Sequence, residues 1–89
     1  MAKLQKEITV KNAQGLHARP AAMFVQVASK YQAQVTVIKG VERVNGKSIM
    51  GILMLGAQQN SKIFLEVEGE DAAQALAELE QLLAREEIQ

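Results

Sequence analysis

His17 is the chain's single histidine, and Gly15-Leu16-His17-Ala18-Arg19-Pro20 sets it directly before a stretch with the spacing of an amphipathic helix. A helix mouth presents backbone N–H groups that have no acceptor inside the helix, and these, with the helix dipole, favour an anion. The chemistry that suits this position is the handling of a phosphate. On residue type alone, a lone histidine at a helix start is more often a solvated cap than a nucleophile. Ser48 is the second residue of interest. It precedes the apolar run Ile49-Met50-Gly51-Ile52-Leu53-Met54-Leu55, stopped by Gly56, and is a good N-cap for a short helix.

The chain as a whole narrows the alternatives. Eighty-nine residues make one domain, 1–89, with one shared core. Ten basic and ten acidic residues cancel, which removes the bulk electrostatic case for nucleic acid or an anionic membrane as partner. With no cysteine and one histidine, a disulfide framework or a zinc site is not expected. Glu66, Glu68, Glu70 and Asp71 read as a solvated strand edge and a helix start rather than a metal site. The N-terminal residues lack an apolar signal core, and no run approaches the roughly 20 apolar residues of a membrane span. A cytoplasmic protein without membrane insertion is expected.

Several elements must position these residues. Leu4, Ile8 and Val10 mark a first strand from about residue 3 to residue 10. Asn12-Ala13-Gln14-Gly15 supplies turn formers, and the helix that follows holds Pro20 in its first turn, where the missing N–H costs little. Ala21, Phe24, Val25 and Ala28 form its inward stripe. Ala22 and Met23 fall outside that stripe and suit docking. Val35 and Val37 specify a second strand, Gly40 a tight turn, and Val41-Glu42-Arg43-Val44 a short third strand.

The run after Ser48 is read as a helix with Ile52 and Leu55 inside. Ile49, Met50 and Leu53 then lie outside, more apolar surface than a short helix leaves unpartnered. Ile63, Leu65 and Val67 alternate with polar positions in the clearest strand, and Ala72, Ala75, Leu76, Leu79, Leu82 and Leu83 stripe a last helix. The expected architecture is α+β, an open-faced two-layer β-sandwich in the order β-α-β-β-α-β-α, with a four-stranded, mainly antiparallel sheet and three helices on one face.

Gly15-Leu16-His17-Ala18-Arg19-Pro20-Ala21-Ala22, followed further on by Lys47-Ser48-Ile49-Met50-Gly51, resembles the HPr family. These are the histidine-containing phosphocarriers of the bacterial phosphoenolpyruvate-dependent sugar phosphotransferase system. The likeness runs from about Glu7 to Leu83. It implies that His17 accepts a phosphoryl group on Nδ1 from phosphoenolpyruvate-charged Enzyme I and passes it to IIA domains of sugar permeases. A helix mouth disfavours the imidazolium, which suits a neutral nucleophile. The amides of Ala18 and Arg19 would face the phosphoryl oxygens, with the Arg19 guanidinium as a second donor.

The same resemblance makes Ser48 the target of an HPr kinase/phosphorylase. A phosphoserine there adds roughly −1.5 to −2 charge, obstructing Enzyme I and recruiting a catabolite-control repressor. Ala22, Met23, Lys47, Ile49, Met50 and Leu53 become the partner-binding residues. The implied protein is a monomeric carrier rather than an enzyme, without a cofactor. Gly46 and the apolar Met54 depart from common sugar-type sequences, and Met54 leans toward the nitrogen-linked branch. The five-residue match at Lys47–Gly51 leans toward the sugar branch and weighs more. The alternative is a nitrogen-branch or regulatory HPr paralogue acting mainly by protein binding.

Overall fold

The alternation around Leu65 sorts into two faces of one strand: Ile63, Leu65 and Val67 are buried, while Lys62, Phe64 and Glu68 are exposed and Glu66 is half-buried. A computed structural model describes residues 3–86 and arranges them as β1 (Lys3–Thr9), α1 (Ala18–Ser29), β2 (Gln34–Lys39), β3 (Glu42–Asn45), α2 (Ile49–Leu55), β4 (Lys62–Glu68) and α3 (Ala72–Leu83). Both the α+β class and the expected element order are found.

The sheet order is β1-β4-β2-β3, and every neighbouring pair is antiparallel. β1 and β2 therefore run in the same direction with β4 between them, and β3 and β4 do so with β2 between them. Two split β-α-β crossovers thread through one another, the first carrying α1 and the second α2. Parallel strands need such long connections, which is why a helix lies between the two strands of each pair.

Inward residues of the sheet meet the inner stripes of the helices in one buried cluster that includes Val10, Phe24, Val37, Ile52, Ile63, Leu65, Leu79 and Leu83. Val25 and Leu76, expected in the inner stripes, are only partly buried against this core. Lys6 shares the inward parity of Leu4 and Ile8 but sits on an edge strand, and its ammonium reaches Glu80 of α3 at 2.7 Å. The opposite sheet face is open. On it Glu66 accepts Lys3 at 3.5 Å and Arg43 at 3.0 Å.

Two local expectations are corrected. Glu68 is exposed as expected, but neither it nor the half-buried Glu66 lies on an edge strand, because β4 is paired on both sides. The third strand begins one residue later than expected and includes Asn45, leaving Val41 98% exposed in the turn.

Candidate functional site

His17 is the N-cap of α1, its backbone extended, its side chain exposed and making no capping hydrogen bond. Ala18 and Arg19 occupy the first two helical positions, whose N–H groups have no acceptor within a helix. Pro20, third in the helix, has no N–H to offer, and the amide of Ala21 already donates to the His17 carbonyl at 2.8 Å. Two amides thus remain at the mouth, and among the described residues neither finds an acceptor.

The first turn contains no acidic residue and carries Arg19 instead. A cation at the positive end of the dipole is unfavourable, by about 0.3–1 kcal/mol at an exposed site. The free amides and the Arg19 guanidinium both favour an anion at this mouth, beside the exposed imidazole.

The loop before His17 is held from two sides. Leu16 is buried and donates its amide to the Ala57 carbonyl at 2.8 Å. Gly15 has φ +68° and approaches so closely that a Cβ would lie 2.4 Å from the Ala57 oxygen and 2.8 Å from Gln58 Cα. Only glycine meets both conditions without strain. On the other side the loop is tied to the end of α3: Lys11 donates to the Leu83 carbonyl at 3.0 Å, Ala13 to Glu86 at 2.8 Å, and the buried Asn12 side chain to the Arg85 carbonyl at 2.6 Å. Composition shows Asn12 as a turn former; its burial follows from an α3 terminus more than seventy positions away in the chain.

The second motif is built differently. Ser48 is the N-cap of α2, and its Oγ accepts the Gly51 amide at 3.1 Å. Gly56 closes the helix in the left-handed conformation, its amide donating to Leu53 at 3.2 Å. Ile52 and Leu55 face inward as expected. Ile49 is 41% exposed, Met50 63% and Leu53 37%. Met54, omitted from the expected partner residues, is 74% exposed. Its position four residues after Met50 is the signal that places it on the same side of the helix.

Helices α1 and α2 pack against each other, bringing the His17 and Ser48 elements together. Ala22 and Met23 are half-buried on α1, with Met23 resting partly on the core. Lys47, expected to be available to a partner, has its ammonium bonded to the Tyr31 carbonyl at 2.7 Å. It therefore braces the α1–β2 connection as well.

Asp71 caps α3 by position but makes no side-chain capping bond. Its carboxylate accepts the amides of Gln32 and Ala33, each at 2.9 Å. The Gln32 amide, helped by that of Ala33 and the charge of Lys47, holds the carboxyl below its usual range. Among the described residues no group of three or more His, Cys, Asp or Glu is placed to share a metal ion, and no helix is long and apolar enough to cross a membrane.

Comparison with known proteins agrees with this geometry. Residues 4–85 match the family described as PTS HPr component phosphorylation site. The phosphocarrier protein HPr of Neisseria meningitidis serogroup A is 45% identical over 80 residues, covering 90% of each chain. Among solved structures, the phosphocarrier protein HPr of Bacillus anthracis superposes with a TM-score of 0.90 at 42% identity, covering 93% of this chain and 99% of that one. Crh, a catabolite-repression protein of Bacillus subtilis whose structure is a dimer with a swapped domain, superposes with a TM-score of 0.76 at 37% identity over 97% and 99% of the two chains.

Proposed function

The chain belongs to the HPr family of phosphotransferase-system phosphocarriers, and from this premise we propose that His17 is its phosphoryl acceptor. It takes the group from phosphoenolpyruvate-charged Enzyme I and gives it to the IIA domains of sugar permeases. The observation that carries this reading is the α1 mouth, where an exposed His17 stands beside the amides of Ala18 and Arg19, which find no acceptor among the described residues, with no acid in the turn.

The step is a displacement at phosphorus. A lone pair on His17 Nδ1 forms the N–P bond as the bond between phosphorus and the donor group of charged Enzyme I breaks, and in the second transfer the N–P bond breaks as the accepting group of the IIA domain bonds to phosphorus. The Ala18 and Arg19 amides and the Arg19 guanidinium orient the phosphoryl oxygens and spread their charge. Stabilisation at a helix mouth amounts to roughly 0.3–2 kcal/mol, weak enough for the group to leave again. The protein acts as a carrier, not as an enzyme.

Partners dock on α2 and the adjoining turn of α1, through Ile49, Met50 and Leu53 with Ala22 and Met23, in the cytoplasm and as a monomer. Lys47 contributes at the rim. Ser48 is the regulatory site, phosphorylated by an HPr kinase/phosphorylase. Its Oγ already sits at the mouth of α2, so a phosphate there strengthens the cap while setting a dianion beside the apolar docking residues. The modified face then suits a catabolite-control repressor and repels Enzyme I.

The likeness to Crh supports a second reading, a regulator that works through Ser48 and protein binding alone. One experiment separates the two. Incubation with phosphoenolpyruvate and catalytic Enzyme I is expected to give an acid-labile, base-stable phosphate on the wild type and none on His17→Ala. An unlabelled wild type would leave the regulator.

A further inference from the structure

Met50 and Met54 stand one helical turn apart on the outer side of α2, 63% and 74% exposed, with neither in the buried cluster or packed against it. Met23 differs, being half-buried and resting on the core. An exposed thioether has an accessible sulfur lone pair and is oxidised by peroxides to a sulfoxide, which turns an apolar side chain polar and is reversible by dedicated reductases. Met54, four residues after Met50, extends the proposed docking face along the same side of α2.

We infer that Met50 and Met54 form an oxidant-sensitive modification site that lowers the affinity of the α2 face for Enzyme I without unfolding the domain. The inference rests on the proposed docking role of α2. Each methionine sulfur donates a lone pair to one oxygen of a hydroperoxide. The O–O bond breaks, the sulfur becomes a sulfoxide, and the peroxide is reduced to water (or to an alcohol, from an alkyl hydroperoxide).

Two features of the structure give the effect its selectivity. The core beneath α2 is made by Ile52 and Leu55, both buried and neither oxidisable, so the helix keeps its seat. Ser48 continues to cap the helix through Gly51, so its backbone does not depend on the sulfurs. What changes is the outer surface. Unbranched thioethers adapt to several partners, and a sulfoxide placed in an apolar contact must be desolvated without a hydrogen-bond partner. Oxidation and Ser48 phosphorylation thus act on the same helix by the same means, insertion of polar oxygen into an apolar contact.

The test treats the full chain with hydrogen peroxide, removes the oxidant with catalase and locates added oxygen by peptide mass spectrometry. Phosphorylation by phosphoenolpyruvate-charged Enzyme I then follows, with the oxidised and untreated proteins compared across a concentration series. Oxygen is expected on Met50 and Met54 before Met23, the apparent KM should rise about tenfold, the cost of roughly one lost apolar anchor, and the thermal midpoint should hold.

Methionine sulfoxide reductases should restore the original KM. Met50→Leu/Met54→Leu, measured against its own untreated form, should show no change on peroxide treatment. The inference is overturned by an unchanged KM in the oxidised wild type, by slower oxidation of Met50 and Met54 than of Met23, or by an equal rise in the double variant. An untreated wild type that takes no phosphate at all overturns the carrier reading, and this inference with it.

Discussion

The Cβ that Gly15 lacks would stand 2.4 Å from the carbonyl oxygen of Ala57, so the loop entering the His17 helix meets the loop leaving the Ser48 helix backbone to backbone. The same carbonyl accepts the Leu16 amide at 2.8 Å. The placement of the imidazole thus depends on a segment far along the chain. Gly15→Ala is expected to cost roughly 1–3 kcal/mol, because the residue must hold a positive φ and push Ala57 away. Urea denaturation should report the loss, and phosphorylation of His17 in the folded fraction should slow. A variant with wild-type stability and transfer rate would show that the two loops can part freely.

Ser48 should separate into two effects. Ser48→Ala removes the acceptor of the Gly51 amide and should lower stability by about 0.5–2 kcal/mol, read as a shift in the denaturation midpoint. Ser48→Asp keeps a capping oxygen and adds charge. It should leave the midpoint nearly unchanged while slowing phosphorylation by Enzyme I. A large loss of stability in Ser48→Asp would make this position structural only.

Leu53 lies on the outer side of α2, and Ile52 beside it is fully buried. Leu53→Glu is expected to raise the KM of Enzyme I for the protein with little change in unfolding. Ile52→Ala should do the opposite, losing about 2–5 kcal/mol to a cavity. Equal destabilisation by both would mean that α2 buries a different face.

Acid should loosen the ties between α1 and α3 before it reaches the core. The Gln32 amide, with that of Ala33, holds Asp71 below the usual range. Lys30 and then Tyr31 do the same for Glu78. Burial pushes Glu66 up, but Arg43 and Lys3 outweigh it, and its net shift is also downward. Each folded pKa lies below the unfolded one, so each contribution is complete above the unfolded value of about 4. It is lost as pH falls through the folded value.

Tyr31 behaves in the opposite sense. Its bond to Glu78 raises its pKa above 10.0, and the stability it contributes disappears as pH rises through that raised value. Thermal midpoints across pH should therefore fall at both ends. Asp71→Asn should flatten the acid limb and Tyr31→Phe the alkaline one.

Much of this was legible in the residues. Local signals have local causes: Ser48 and Gly56 delimit α2 because a hydroxyl and a left-handed glycine satisfy orphan helix groups wherever they occur. The alternation of β4 fixes its dry face because side chains alternate across any strand. His17 at a helix mouth, and the outward placement of Ile49, Met50 and Leu53, follow from the same short-range periodicities.

Other relationships required the chain to fold. Strand order put β4 inside the sheet, so that Glu66 gathers Lys3 and Arg43 rather than lining an edge. Asp71 turned from its own helix to the amides of Gln32 and Ala33. Lys47 was drawn to the Tyr31 carbonyl, and Asn12 was buried against the end of α3. Periodicity reaches only a few residues along a chain, whereas these partners lie between 16 and 73 positions apart. Their meeting was decided by how two crossovers share one sheet.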